Sequence, residues 1–241
     1  MGRICTARYS PTPVINKLYK SSMETSFNFT SRGCPVCDSL SKAMFEYFSK
    51  WQYALINDGR EQRDFAARGG FCAVHLWQLA SLSSPRGLSI SIPPLLERLA
   101  NNLSELASLQ KLDTQAIHSI STKNCAACEF LRLEEASAIE NFSEIIKQED
   151  CLLLYKKSQG VCLHHLGRIV LTIKNDSLRR KLLSLAAKRF GDWIEDMQSY
   201  VSKRDTLQRA LISIDEEEAN IRAIIHLVGA RALCLPPKLN K

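Results

Sequence analysis

The sequence predicts an all-α protein made of one helical unit used twice, and three observations predict it. Leu, Ala, Ser, Glu, Lys and Arg dominate the 241 residues, against only 10 Gly and 8 Pro, a composition of good helix formers. Apolar residues recur at three- and four-residue spacing, and no alternating strand pattern exceeds a few residues; the short run 88–92, set against prolines, is the exception. Lastly, a C-x-x-C followed by G-φ-C-x-x-H-L, where φ is apolar, occurs twice about ninety residues apart, the mark of an internal duplication.

Taken in order, residues 1–30 read as a polar N-terminal tail, because MGRICTARYSPTPVINK has no continuous apolar core of a signal peptide. A helix is expected over 37–57 from the stripe Leu40, Met44, Tyr47, Phe48, Trp51 and Leu55, ended by Asn57-Asp58-Gly59. A short polar helix over 61–68 leads to Gly69-Gly70, and another helix follows over 72–82. Ser83-Ser84-Pro85-Arg86-Gly87 breaks the pattern. Ile92-Pro93-Pro94 then sets the start of a helix marked by Leu95, Leu96, Leu99, Leu103 and Leu106, running to residue 112. Ser119 to Lys123 is the expected linker between halves, which gives a first repeat over 31–117 and a second over 118–241, packed together as one compact unit.

The second half repeats the plan with helices expected over 128–147, 149–157 and 162–174. A long helix over 177–205 turns Leu178, Leu182, Leu185, Ala186, Trp193, Ile194, Met197 and Val201 inward. The last helix, 216–228, is expected to have Asp215 as N-cap, Glu216-Glu217-Glu218 in its first turn and Gly229 as its stop.

The motifs carry the chemistry. Cys34-Pro35-Val36-Cys37 is answered by Gly70-Phe71-Cys72-Ala73-Val74-His75, and Cys125-Ala126-Ala127-Cys128 by Gly160-Val161-Cys162-Leu163-His164-His165. Between the motifs Phe65 matches Tyr155, Trp51 matches Phe142, and beyond them Leu79 matches Ile169. The register also chooses between adjacent histidines: His165, three residues after its cysteine, matches His75, leaving His164 as a polar neighbour. Ligands at i and i+3 share one side of a helical turn, and helix N-termini favour thiolates. The expected sites are therefore Cys34, Cys37, Cys72 and His75 in one half and Cys125, Cys128, Cys162 and His165 in the other. Each would staple its half across an intervening loop, whose closure costs entropy.

Three thiolates and an imidazole form a closed structural zinc set, with Zn–S about 2.3 Å and Zn–N about 2.0–2.1 Å. Two Zn2+ ions are expected, with two iron–sulfur clusters as the alternative, since thiolates with a histidine also hold those. Four protein ligands leave no open position for a substrate water, and no P-loop, dinucleotide, zincin or nucleophile-elbow motif occurs. A catalytic role is not expected; His118 and His226 stand apart, and His226 reads as a core histidine. The nine cysteines, with no export signal, read as thiols in the cytoplasm, the spare Cys5, Cys151 and Cys234 being small buried residues or, for Cys5, part of the tail. No run of 18 apolar residues exists to cross a membrane. Arg179-Arg180-Lys181, Lys188-Arg189 and Lys203-Arg204 could meet nucleic acid, but they read better as the solvated face of an amphipathic helix.

The run Cys34-Pro35-Val36-Cys37, then Gly70-Phe71-Cys72-Ala73-Val74-His75-Leu76-Trp77, resembles an uncharacterised bacterial family of helical proteins with tandem CPxC…GFCxxH motifs. The stretch from Glu217 to Gly229 is similar to that family's last helix, so the resemblance spans about residues 30 to 230. The second half departs from it at Ala126 and Gly167, where the family pattern has Pro and Trp. That family brings no activity with it. It implies the architecture, and the expectation is a metal-binding interaction or regulatory module with a protein partner; a redox or electron-transfer role goes with the iron–sulfur alternative.

Overall fold

The computed structural model describes residues 5–7, 25–109, 125–206, 208–230 and 233. His118, Ser119 to Lys123, Cys234 and the side chain of Cys5 lie outside the described residues. Helices carry the fold: α1 Pro35–Asn57, α2 Gly59–Ala67, α3 Ala73–Leu82, α4 Pro85–Ser91, α5 Pro93–Ser108, α6 Ala126–Ile145, α7 Glu149–Lys157, α8 Leu163–Thr172, α9 Asp176–Asp205 and α10 Ile214–Val228. A 3-10 turn, Arg209–Leu211, joins α9 to α10. Two three-residue strands, β1 Cys5–Ala7 and β2 Thr25–Phe27, pair antiparallel with Cys5 opposite Phe27.

The helix ends follow local chemistry. Asp58 caps α2 by accepting from the Arg60 N–H at 2.8 Å, and Asn175 caps α9 through Leu178. The stretch expected to be broken at 83–87 instead starts α4: Ser84 accepts from the Gly87 N–H and Pro85 sits in the first turn, a start signal in itself. The N-cap of α10 is Ser213 rather than Asp215. Ser213 and Glu216 form a reciprocal capping box, which satisfies two otherwise orphan N–H groups.

The chain divides into two compact units, and the division does not follow the sequence halves: one takes in the N-terminal part through Ser41 and Glu135–Leu233, the other Lys42–Glu134. Both boundaries fall inside long helices, α1 and α6. In the Lys42–Glu134 unit the core is aromatic. Phe65 meets Phe71 edge-on at 5.1 Å, Trp51 meets Phe71 at 5.4 Å, and Tyr47 stacks on Phe130 at 4.3 Å. In the other unit Phe142 receives Phe27 edge-on at 5.1 Å and Tyr155 at 5.9 Å, while the Arg189 guanidinium lies 4.7 Å over the Tyr155 ring. On α9, Leu182, Ala186 and Trp193 are buried as expected, but Ile194 and Val201 are more than half exposed. A 30-residue helix presents its stripe to neighbours that cover only part of its length. Cys151 is buried and disulfide-bonded, so the reading of all the cysteines as thiols fails there.

Candidate metal centre

Four helix entrances carry the eight candidate ligands. Cys34 directly precedes α1, its carbonyl accepting from the Asp38 N–H at 3.0 Å, and Cys125 precedes α6, its carbonyl accepting from Glu129 at 3.1 Å. Cys72 and Cys162 are the N-cap residues of α3 and α8, extended at ψ 166° and 161°. Two residues before each of these caps stands a glycine at positive φ, Gly70 at 76° and Gly160 at 86°, a backbone that side-chain-bearing residues rarely adopt. The repeated Gly is thus the bend that delivers the repeated Cys.

The structure brings all eight residues together in two clusters, but it crosses the expected pairing. One cluster is Cys34, Cys37, Cys162 and His165; the other is Cys72, His75, Cys125 and Cys128, the ligand atoms in each lying within 4.8 Å of one another. Each C-x-x-C therefore meets the C-x-x-H of the other sequence half, and the expectation that each half is stapled within itself is corrected. The reason lies in helix length. His75 packs beside Phe48, ring centroids 6.0 Å apart, and Phe48 follows Cys37 by three turns of α1. At 1.5 Å per residue that is about 16 Å along the axis, too far for one ion to be shared.

In the first cluster the His165 Nδ1 lies 3.4 Å from Cys34 Sγ, 3.4 Å from Cys37 Sγ and 3.2 Å from Cys162 Sγ, and Cys37 Sγ is 3.8 Å from Cys162 Sγ. All four residues are buried. In the second, His75 Nδ1 lies 3.2 Å from Cys72, 3.4 Å from Cys125 and 3.2 Å from Cys128, with Cys72 and Cys128 sulfurs 3.7 Å apart. Here only His75 is buried, and Cys128 is exposed.

The electrostatics follow from crowding sulfur around one point. Hydrogen bonds from Cys34 and Cys37 hold the Cys162 thiol far below its ordinary range, and Cys37, bonded to Cys162 and Cys34, is pushed far above it. Burial opposes charge on His165, yet the Cys162 and Cys34 sulfurs outweigh it and carry the imidazole up to about 10. Sulfur and nitrogen donors gathered this closely could hold a metal ion. In the second cluster burial opposes ionisation of Cys72, but the backbone N–H of His75, the Cys128 and Cys125 thiols and the Val74 N–H bring its thiol down. These backbone donors are those of a helix N-terminus. Burial, then the Cys125 charge, pushes Cys128 up to about 12.

One residue escaped the sequence reading. Glu135 Oε1 lies 3.3 Å from His165 Nε2 and 2.7 Å from His164 Nε2, and Oε2 pairs with the Arg168 guanidinium. Burial raises the Glu135 carboxyl, but hydrogen bonds from His164 and Arg168 outweigh it and hold it below the usual carboxylate range. Its neighbour Glu134 is raised by burial. The repeat register held the one available signal: 91 residues separate Cys34 from Cys125 and also Met44 from Glu135, so a carboxylate replaces an apolar stripe residue. His164 is exposed beside the site, as expected. His226 is a buried core histidine whose Nδ1 contacts the Arg222 carbonyl at 2.9 Å, with its ring 4.6 Å from Trp193.

No family model matches the chain, and no solved structure matches it. A curated protein of Caldicellulosiruptor sp. (strain Rt8B.4), named "Uncharacterized 23.9 kDa protein in xynA 3'region", is 24% identical over 181 residues, covering 74% of this chain and 85% of that one. The chain is similar to it, and that protein's name carries no activity.

Proposed function

We propose that the chain is a two-site zinc protein whose ions tie helix N-termini together, and that the scaffold so held works as an interaction or regulatory module for a protein partner. The observation that supports it is the edge length of the clusters. A tetrahedron with Zn–S of about 2.3 Å and Zn–N of about 2.0–2.1 Å has edges of about 3.5–3.8 Å. The sulfur pairs at 3.7 and 3.8 Å fit this, and the N···S distances of 3.2–3.4 Å run slightly inside it. In a four-iron cluster each cysteine sits on its own iron with sulfides between, which calls for ligand sulfurs farther apart than a single-ion tetrahedron provides. All four positions of such a site are filled by protein, so it offers no place for a metal-bound water. What remains for function is the surface: on α10, Ile214, Ile221, Ile224 and Val228 are more than half exposed and fall along one side of the helix.

Metal analysis of protein purified without oxygen tests the reading. Two equivalents of zinc and a colourless solution are expected; iron with sulfide and visible absorption overturns it in favour of a redox role.

A further inference from the structure

We propose that Glu135 is the positioning residue of the buried centre, holding His165 in the one tautomer that turns Nδ1 toward the metal. The inference rests on the reading of the clusters as metal centres. A neutral imidazole carries its proton on one nitrogen and its lone pair on the other. Nδ1 faces three sulfurs at 3.2–3.4 Å, so the proton has to sit on Nε2. Nε2 lies 3.3 Å from Glu135 Oε1, an ion-pair contact, and a carboxylate there favours a proton on the nitrogen that faces it. The His165 side chain is 4% exposed and that of Glu135 16%, so little bulk water reaches that proton.

Glu135 is itself fixed. Arg168 binds its Oε2, and His164 shares Oε1 at 2.7 Å. Both come from α8, the helix that carries His165, so α8 presents the ligand and also grips the group that orients it. The other centre has nothing equivalent: the matching position is Met44, and among the described residues no carboxylate is bonded to His75. Partners behind a metal-bound histidine typically contribute 10–100-fold to affinity. The two centres therefore differ in design, and Glu135 is the residue that separates them.

The test compares full-length wild type, Glu135→Leu and Glu135→Gln by chelator competition for zinc, by Co2+ absorption and by 15N spectra of the histidines. In wild type the His165 Nε2–H should exchange slowly with water and resonate downfield of that of His75. Glu135→Leu should weaken one of the two sites by about 10–100-fold and leave the other unchanged. Glu135→Gln, nearly the same shape and still presenting an acceptor oxygen, should recover part of the loss and keep the Nε2–H detectable but shifted upfield. If Glu135→Leu destabilises the fold, Glu135→Gln decides through that shift. Unchanged affinity and an unchanged His165 signal overturn the inference while leaving the zinc reading intact. Wild type that takes up no metal overturns the zinc reading and the inference with it.

Discussion

The two centres use one motif set and differ in almost everything around it. At Cys34, Cys37, Cys162 and His165 every ligand is buried, the histidine is backed by Glu135, and Gly229, just past α10, stands so near that a Cβ there would lie 3.6 Å from Cys37 Sγ. At Cys72, His75, Cys125 and Cys128 only the histidine is buried and one sulfur is exposed. Identical ligands therefore do not imply identical sites. The first set defines which ion fits, and the surroundings define how readily it leaves. Under the zinc proposal the buried centre would be the structural support. The open one, with an exposed sulfur, is where reagents and chelators gain access.

The largest expected effect tests the crossing itself. Cys34→Ser with Cys162→Ser places both changes in one cluster and should cost one equivalent of zinc. Cys34→Ser with Cys72→Ser places one change in each and should cost both. Pairing within the repeats demands the reverse result, so metal content of the two double variants separates the arrangements outright. Losing a structural zinc forfeits a large share of folding free energy, about 10–16 kcal/mol of apparent binding in the smallest zinc domains. Cys34→Ser with Cys162→Ser should therefore also melt well below wild type in thermal unfolding.

Next in size is the difference in lability. Chelator should remove zinc in two phases, the faster belonging to the Cys72 cluster, and a thiol reagent should label Cys128 before any buried cysteine. Mass spectrometry of partly labelled protein reads the order directly, and labelling of Cys34 or Cys162 first would contradict it.

The glycine bends come next. Gly70→Ala and Gly160→Ala each force a side chain into positive φ, which costs on the order of 1–3 kcal/mol. The added Cβ at Gly70 would also lie 2.8 Å from Leu95 Cδ2, and at Gly160 it would lie 2.5 Å from the Arg189 guanidinium. Arg189 donates to the Ser158 and Tyr155 carbonyls at 3.0 and 2.6 Å, so displacing it loosens the end of α7. Both variants should lower the denaturation midpoint, and equal stability to wild type in either would remove the bend from the argument.

How much of this was legible in the sequence follows from the range over which each signal acts. The eight residues at the clusters announce themselves because i, i+3 spacing and a leading Gly are local features, repeated in register. Pairing is not local: a C-x-x-C specifies half a site, and which other half it meets depends on where a 23-residue helix delivers its far end. Glu135 was hidden for the same reason, since its target His165 lies thirty residues away and only the comparison with Met44 marks it. The start of α4 and the capping box at Ser213 were fully present as Ser84-Pro85 and Ser213-Ile214-Asp215-Glu216. A cluster of breakers at 83–87 and the run of acids from Asp215 each point to a more familiar boundary and mask these signals.

The smallest expected effect concerns α10, which stands beside the buried centre through Gly229. Glu216 caps this helix and binds Lys203 at 2.6 Å and Ser199 at 2.6 Å. These contacts, Lys203 foremost, hold its carboxyl down to about 2, from an ordinary 4.5. A carboxylate depressed in the folded state stabilises above its unfolded pKa, and the gain is lost as pH falls through the folded one. The difference in melting temperature between wild type and Glu216→Gln should therefore be full above about pH 5 and shrink toward zero as pH approaches 2. Zinc has to be followed in the same titration, because protons also compete for the thiolates. A Glu216 effect that survives unchanged to the lowest pH would mean that the side chain acts by shape rather than by charge, and the support α10 gives the buried centre would then be packing alone.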